Sequence, residues 1–316
     1  MKKISIVIPT FNEEENIHYA YERVTNVLKK QENYEYEIIF IDNFSTDGTR
    51  KLLRGLCKQD QNVKAILNAK NFGFTRSTYY GLIQSTGDCA ILIFCDMQDP
   101  PELITEFLRK WEEGYKIVVG IKKRSQESKI MYAIRNAYYK LIKKIGEIDH
   151  IEQFTGFGLY DKKFIQVLRN LKDPMPYLRG IVAELGYERC EISYEQEKRK
   201  YGKSGFNFFK LYDVAMLGIT SYSKVVMRCA TIIGFSIAAL CFMVGIITVI
   251  LKLCNWQYFN VGTAAIITGI FFMGSIQLFF IGLVGEYILN INTRVMDRPL
   301  VIEEVRINFT DSDVEG

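Results

Sequence analysis

The feature that most limits how this chain can fold is a pair of long uncharged runs in its last third. Cys229 to Leu251 is 23 residues without a charge, and Leu253 to Gly285 is 33 more. As a helix the first run would span roughly 34 Å, against about 30 Å of hydrocarbon in a bilayer. A helical hairpin buried in a water-soluble core would need polar stripes that neither run has. The pattern predicts two membrane spans, the second over about 262–285, with the amides and aromatics of 253–260 at the interfacial turn. Neither span carries an ionisable residue at mid-depth, which argues against an ion or proton pathway. The spans anchor something.

The first 225 residues, in contrast, are mixed in charge. The whole chain has 316 residues, 40 basic and 36 acidic side chains and a net charge of +4. That balance excludes a strongly basic nucleic-acid-binding protein, so no nucleic acid is expected as a partner. Seven cysteines (57, 89, 95, 190, 229, 241 and 254) form no Cys-x-x-Cys, and the odd number argues against a disulfide framework and for a reducing, cytosolic face. His18 and His150 are the only histidines, which excludes a histidine-rich metal site and disfavours a Ser-His-Asp triad.

Eight basic residues from Arg189 to Arg228 precede the first span, and Arg294, Arg298 and Arg306 follow the second. The turn between them has only Lys252. By the positive-inside rule both termini face the cytoplasm. Over 206–224 a stripe of Asn207, Lys210, Asp213, Thr220, Ser221 and Lys224 is set against Phe206, Phe209, Tyr212 and Met216. That suits a helix lying in the interface plane; a final helix of the soluble core is the alternative.

Short β-rich runs at 4–8, 37–41, 63–67, 89–94 and 116–119 alternate with helical patterns near 14–30, 46–59, 74–85 and 101–113. This alternation predicts an α/β fold with a mostly parallel sheet and a ligand site at the carboxyl ends of its strands. Polar residues gather there: Pro9-Thr-Phe-Asn-Glu13, Asp42-Asn-Phe-Ser-Thr-Asp47-Gly48 and Cys95-Asp96-Met-Gln98-Asp99-Pro-Pro101. Each cluster taken singly also suits a helix cap. Three at successive strand ends make a common rim. Asp96, Gln98 and Asp99 offer oxygen ligands without His or Cys, a set suited to Mg²⁺ or Mn²⁺ bridging phosphates rather than to zinc. Gly202-Lys203-Ser204 lacks the earlier glycine of a P-loop, and Gly156-Phe-Gly158 has Asp161 where a dinucleotide fingerprint needs its third glycine.

With these residues in order, the chain resembles family-two glycosyltransferases of the GT-A fold, in the branch that acts on polyprenyl phosphates. The resemblance runs through Ile8-Pro-Thr-Phe-Asn-Glu13, Ile41 to Thr49, Asp96-Met-Gln-Asp-Pro-Pro-Glu102, Thr155 to Asp161, Arg199-Lys-Tyr-Gly-Lys-Ser204 and the two spans. It implies a GT-A nucleotide-sugar-binding domain over 1–205, a juxtamembrane amphipathic helix over 206–225, two transmembrane helices over 226–289 and a cytoplasmic tail over 290–316. Pro9, Phe11, Glu13, Ile41, Asp42 and Asn43 would line the nucleotide-sugar pocket. Asp96 and Gln98 would hold the metal and diphosphate, Lys122 would stand on the donor side, and Arg199 would meet phosphate. Three positions depart from the family pattern. Asn43 replaces a second acid, Phe94 replaces the first acid of Asp-x-Asp, and Gly205 stands where a lysine is usual, with Lys203 as its substitute.

The implied reaction is inverting transfer of a hexose, from UDP-hexose in preference to a GDP donor, to undecaprenyl phosphate at the cytoplasmic membrane. Two spans per chain are compatible with a homo-oligomer. A processive polysaccharide synthase of the same fold is disfavoured by the lack of Gln-x-x-Arg-Trp, since Trp111 and Trp256 follow Lys110 and Asn255. A non-catalytic nucleotide-sugar-binding subunit is the other alternative, raised by Phe94 and Asn43.

Overall fold

The computed structural model describes residues 1–124, 151–201, 263–296 and 298–310, with scattered positions between 232 and 250. The expectations for Lys203, the helix at 206–224, the turn at 253–260 and most of the first apolar run lie outside the described residues.

The five β-rich runs fold as strands: β1 (Lys2–Thr10), β2 (Tyr34–Asp42), β3 (Val63–Asn68), β4 (Cys89–Leu92) and β5 (Ile117–Arg124). Between the first four lie α1 (Ile17–Leu28), α2 (Thr49–Gln59) and α3 (Phe74–Ile83), and a 3₁₀ turn at Pro101–Leu103 leads into α4 (Ile104–Glu112) before β5. Then come β6 (Phe154–Asp161), α5 (Lys162–Asn170), α6 (Leu178–Glu184), β7 (Arg189–Glu195), α7 (Thr263–Val295) and β8 (Glu303–Ile307).

These strands form one sheet in the order β7-β5-β6-β4-β1-β2-β3-β8. β1 runs parallel to both β2 and β4, and β2 parallel to β3, so four carboxyl ends emerge side by side. β6 is antiparallel to β4 and β5, while β7 runs parallel to β5.

Strand alternation explains the two helical layers. Ile4, Ile6 and Ile8 of β1 share a core with Val24 of α1, Leu53 of α2 and Phe107 of α4. Val7, pointing the other way, packs with Tyr79 of α3, Phe164 of α5 and Ile181 of α6. Because both faces are covered, the strand reads as nearly continuous apolar sequence. Two buried residues of the strand are polar: Thr10 at its end, and Ser5, whose hydroxyl donates to Glu37 of β2 at 2.5 Å.

The end of the chain differs from the expected tail. The helix does not close at Glu286 but runs on to Val295, and Glu303–Ile307 joins the sheet as β8, antiparallel to β3. Val301 is buried, and the Asn308 side chain donates to the carbonyls of Cys57 and Val63. The strand covers what would otherwise be an open edge at β3. Its charged alternation, Glu-Glu-Val-Arg-Ile, hides a strand inside tail-like composition.

Helix α7 is 33 residues, roughly 50 Å. Its stretch Phe272–Leu289 has a mean hydropathy of 1.6, and none of that stretch is buried inside the protein. Phe272, Leu278, Phe279 and Ile281 stand exposed. It is the one helix among the described residues long and apolar enough to cross a membrane.

Candidate functional site

Three consecutive parallel strand ends carry a non-glycine residue in the left-handed region. They are Asn12 (φ 54°) after β1, Phe44 (φ 69°) after β2 and Met97 (φ 50°) after β4. Such a conformation costs about 1–3 kcal/mol at each position and persists only where neighbours enforce it. The neighbours are visible. Asn12 N–H donates to Ser45 Oγ at 2.8 Å, and the Asn12 amide oxygen accepts from Thr46 N–H at 2.8 Å. Glu13 N–H donates to Thr49 Oγ1, Glu14 N–H to Asp47 Oδ2, and Gly48 N–H to Glu14 Oε2. A Cβ at position 48 would meet the Glu14 carboxylate, which would have to swing aside and give up its bond from Gly48 N–H. Asp47 Oδ1 also accepts Thr49 N–H, the first amide of α2, at 3.0 Å, although the N-cap position itself is Gly48.

Of the residues expected to act together, Glu13, Asp96 and Arg199 do converge. The Arg199 guanidinium donates to both Glu13 carboxylate oxygens at 2.7 and 2.9 Å, and its other terminal nitrogen lies 3.8 Å from Asp96 Oδ2. Burial raises the Glu13 pKa above the usual carboxylate value; hydrogen bonds from Asn16 and Arg199 oppose that shift, and the Asp96 charge adds to it. The segment carrying Arg199 is strapped over the β4 rim. Glu197 N–H donates to Gln98 O at 2.9 Å, and Arg23 of α1 bridges Glu197 and Glu102 at 2.8 and 2.7 Å. Lys200 sits over the Tyr19 ring, 4.3 Å from its centroid.

Lys122 belongs to a second group. Its ammonium lies 3.9 Å from Asp99 Oδ1, the oxygen that also accepts the Tyr194 hydroxyl. Asp99 is 1% exposed, and burial raises its pKa against the pull of Lys122 and Tyr194. Asp99 is thus a buried organiser of the rim.

The nucleotide-pocket residues divide. Phe11 is exposed just after β1. Pro9 sits within β1 opposite Ile41. Ile41 is a core side chain, packed with Ile39 and Ile66. The Asp42 carboxylate is fully buried and taken up by Ser45 N–H, the Ser45 hydroxyl and Arg50 Nε at 2.7 Å. The Asn43 amide is engaged by Asn71 and by Phe72 N–H, both at 2.9 Å. The Phe94 ring lies 5.7 Å from that of the exposed Phe74. Sequence reasoning passed over Arg50, Tyr194, Asn16 and Arg23. Arg50, Tyr194 and Arg23 each sit inside a helix or strand with no local signal of a partner, whereas Asn16 is the N-cap of α1 and donates to Glu13 three residues before it.

Among the described residues no three His, Cys, Asp or Glu side chains form a metal cage. The donor set at the rim still fits a hard cation. Asp96 contributes carboxylate oxygen and Gln98 an amide oxygen, and a Mg²⁺ or Mn²⁺ ion held mainly by substrate phosphates and water needs no more from protein.

The glycosyl transferase family 2 model matches residues 5–171, which holds all three rim strands. A bactoprenol glucosyl transferase of Shigella phage SfII is 33% identical over 301 residues, 95% of this chain and 97% of that protein. The uncharacterized glycosyltransferase YkcC of Bacillus subtilis is 32% identical over 94% of this chain and 92% of its own length. Among solved structures, mannosyl-3-phosphoglycerate synthase from Rubrobacter xylanophilus is 16% identical, covering 74% of this chain and 75% of that one at a TM-score of 0.46. The α/β architecture, the rim that joins Glu13 to Asp96, and the near full-length relatives agree: the chain is a glycosyltransferase and belongs to glycosyltransferase family 2.

Proposed function

We propose that this enzyme transfers a hexose from UDP-hexose to undecaprenyl phosphate, with inversion, at the cytoplasmic face of the membrane. The observation that carries the reading is the Glu13–Arg199–Asp96 group, a cation held between two carboxylates at the strand-end rim. The bactoprenol named for near full-length relatives supports the lipid acceptor.

The chemistry asks little of the protein as a base. A phosphate monoester has its second pKa near 6, so the lipid phosphate arrives as an anionic nucleophile. Attack on the anomeric carbon from the face opposite the nucleotide breaks the bond to the diphosphate, which departs with the electron pair. The burden is to align the two reactants and to neutralise anionic oxygens. Arg199 serves this by meeting phosphate with two parallel N–H donors, and Lys122 adds positive charge behind Asp99. A divalent cation on Asp96 and Gln98 would supply Lewis-acid charge to the leaving diphosphate.

Strand parity supports a two-span seating in the membrane. β7 and β8 belong to one sheet, which is compatible only with an even number of bilayer crossings between them. With α7 as one crossing, a second is called for, and the uncharged sequence Cys229–Leu251 is long enough for it. A green fluorescent reporter fused after Gly316 is expected to fluoresce in the cytoplasm, and alkaline phosphatase fused at Trp256 to be active outside it. Inactive phosphatase at 256 removes the hairpin.

The decisive assay is purified full-length protein with undecaprenyl phosphate, Mg²⁺ and a panel of nucleotide sugars, reading lipid-linked product. UDP-hexose is expected to give product, and Asp96→Asn to lower turnover about a hundredfold or more without a change in melting temperature. No product from any donor would leave the non-catalytic subunit reading in its place. Asp96→Asn at full rate in excess chelator would end the metal assignment.

A further inference from the structure

Arg50 lies in the first turn of α2, and its planar guanidinium is gripped along its whole edge. Nε donates to Asp42 Oδ2 at 2.7 Å, one terminal nitrogen donates to the Asn68 carbonyl, and the other pairs with Glu304 Oε2 at 2.7 Å. One face lies against the Phe44 ring, 5.0 Å from its centroid. A guanidinium is rigid, so fixing one terminal nitrogen sets the plane for all the others. From Arg50 the chain of contacts runs through the buried Asp42 to Ser45, and from Ser45 Oγ to Asn12 N–H after β1. The order of the β2 rim loop thus depends on Arg50. Phe44 depends on it most: it is 39% exposed, left-handed, and packed on that cation.

Glu304 is remote in sequence. It is on β8, and only residues 296–302 separate β8 from the end of α7. We propose that Glu304 is a positioning residue for the donor-nucleotide loop, holding Arg50 so that Asp42, Ser45 and Phe44 keep the shape that receives the nucleotide. This rests on the reading of that loop as the donor site given above. It makes the strand after the membrane helix part of the donor site's support, and it ties seating of α7 to donor affinity. Glu303, one residue earlier, faces a different set: it pairs with Arg306, which also donates to Gln84. Glu303 therefore serves as a matched control on the same strand.

The test compares wild type, Glu304→Gln, Glu304→Asp and Glu303→Gln as full-length protein in detergent, with UDP as the binding probe. Because the Glu304 side chain is 47% exposed, its ion pair is worth a modest factor. Glu304→Gln is expected to raise the UDP dissociation constant and the KM for UDP-hexose about fivefold. Its kcat and its KM for undecaprenyl phosphate stay within about twofold of wild type. Glu304→Asp recovers most of the loss, and Glu303→Gln leaves donor binding alone. Hydrogen exchange gives a readout independent of ligand: amides of residues 43–48 should lose protection in Glu304→Gln while β1 and β4 do not. If wild type binds no UDP, the functional reading fails, and the exchange data still judge the linkage. Unchanged protection at 43–48 overturns the proposal, as does unchanged UDP affinity in a wild type that binds it. An equal effect of Glu303→Gln would also overturn it.

Discussion

Arg199→Ala is expected to lower sugar transfer about 10²–10³-fold while the protein stays in the membrane fraction. The guanidinium pairs with both Glu13 and Asp96, so its removal takes a cation from the place where phosphate charge would gather. A role limited to attraction of anionic lipid predicts weaker membrane association with turnover per bound molecule intact. Sedimentation with vesicles beside an activity assay separates the two. Arg199→Lys should recover only part of the rate, because an ammonium cannot reproduce two parallel N–H donors. The same change has a stability signature. Burial already raises the Glu13 pKa, and Arg199 is one of the groups opposing that. Without it the Glu13 pKa rises further, and the charged carboxylate becomes a burden at neutral pH. Adding Glu13→Gln to Arg199→Ala should therefore restore melting temperature without restoring turnover.

How far this site was legible follows from where its residues sit. Glu13 and Asp96 were readable because strand-end acids in an alternating β/α pattern have one place to go, the carboxyl rim. Arg199 was readable only through the family resemblance, since nothing in its own surroundings says that it reaches Glu13, 186 residues away in sequence. Arg50 was not readable. Its position in α2 looks like an ordinary exposed helix residue, and its partner Glu304 stands 254 residues on, past the long apolar helix α7. The same physical reason governs the fold. Strands β1 to β5 announce themselves by local period, whereas β6 carries Gly156 and Gly158 and resembles a loop motif. At Gly158 any side chain would run into the Val118 carbonyl of the neighbouring strand, a requirement set by a distant segment. β8 is charged enough to pass for a tail until its pairing with β3 is seen.

Glu37→Gln is expected to destabilise the folded domain by about 3–5 kcal/mol, the range for removing one partner of a buried ion cluster. Glu37 lies on β2 opposite Ser5, five residues before the rim residue Asp42, and its side chain is 2% exposed. It is met by Lys3 Nζ at 2.8 Å, Lys64 Nζ at 2.9 Å, Ser5 Oγ at 2.5 Å and Thr86 N–H at 2.8 Å. Burial by itself would raise its pKa, but the donors from Lys3, Ser5, Lys64 and Thr86 outweigh that and hold it below the usual value. The sign follows: an acid whose folded pKa is depressed adds stability above its unfolded pKa, near 4.3, and loses it as pH falls through the folded value. Denaturant titrations at pH 7, 5 and 3 should show wild type losing this component towards acid and Glu37→Gln lacking it throughout. The neutral amide removes the Glu37 charge from beside the Lys64 ammonium, itself nearly buried. Replacing both as Glu37→Met with Lys64→Met should therefore cost less than Glu37→Gln alone. Because the cluster lies well down the strands from the rim, transfer per folded molecule at low temperature should be unchanged. A Glu37→Gln protein as stable as wild type at pH 7 would show that the cluster contributes no net stability.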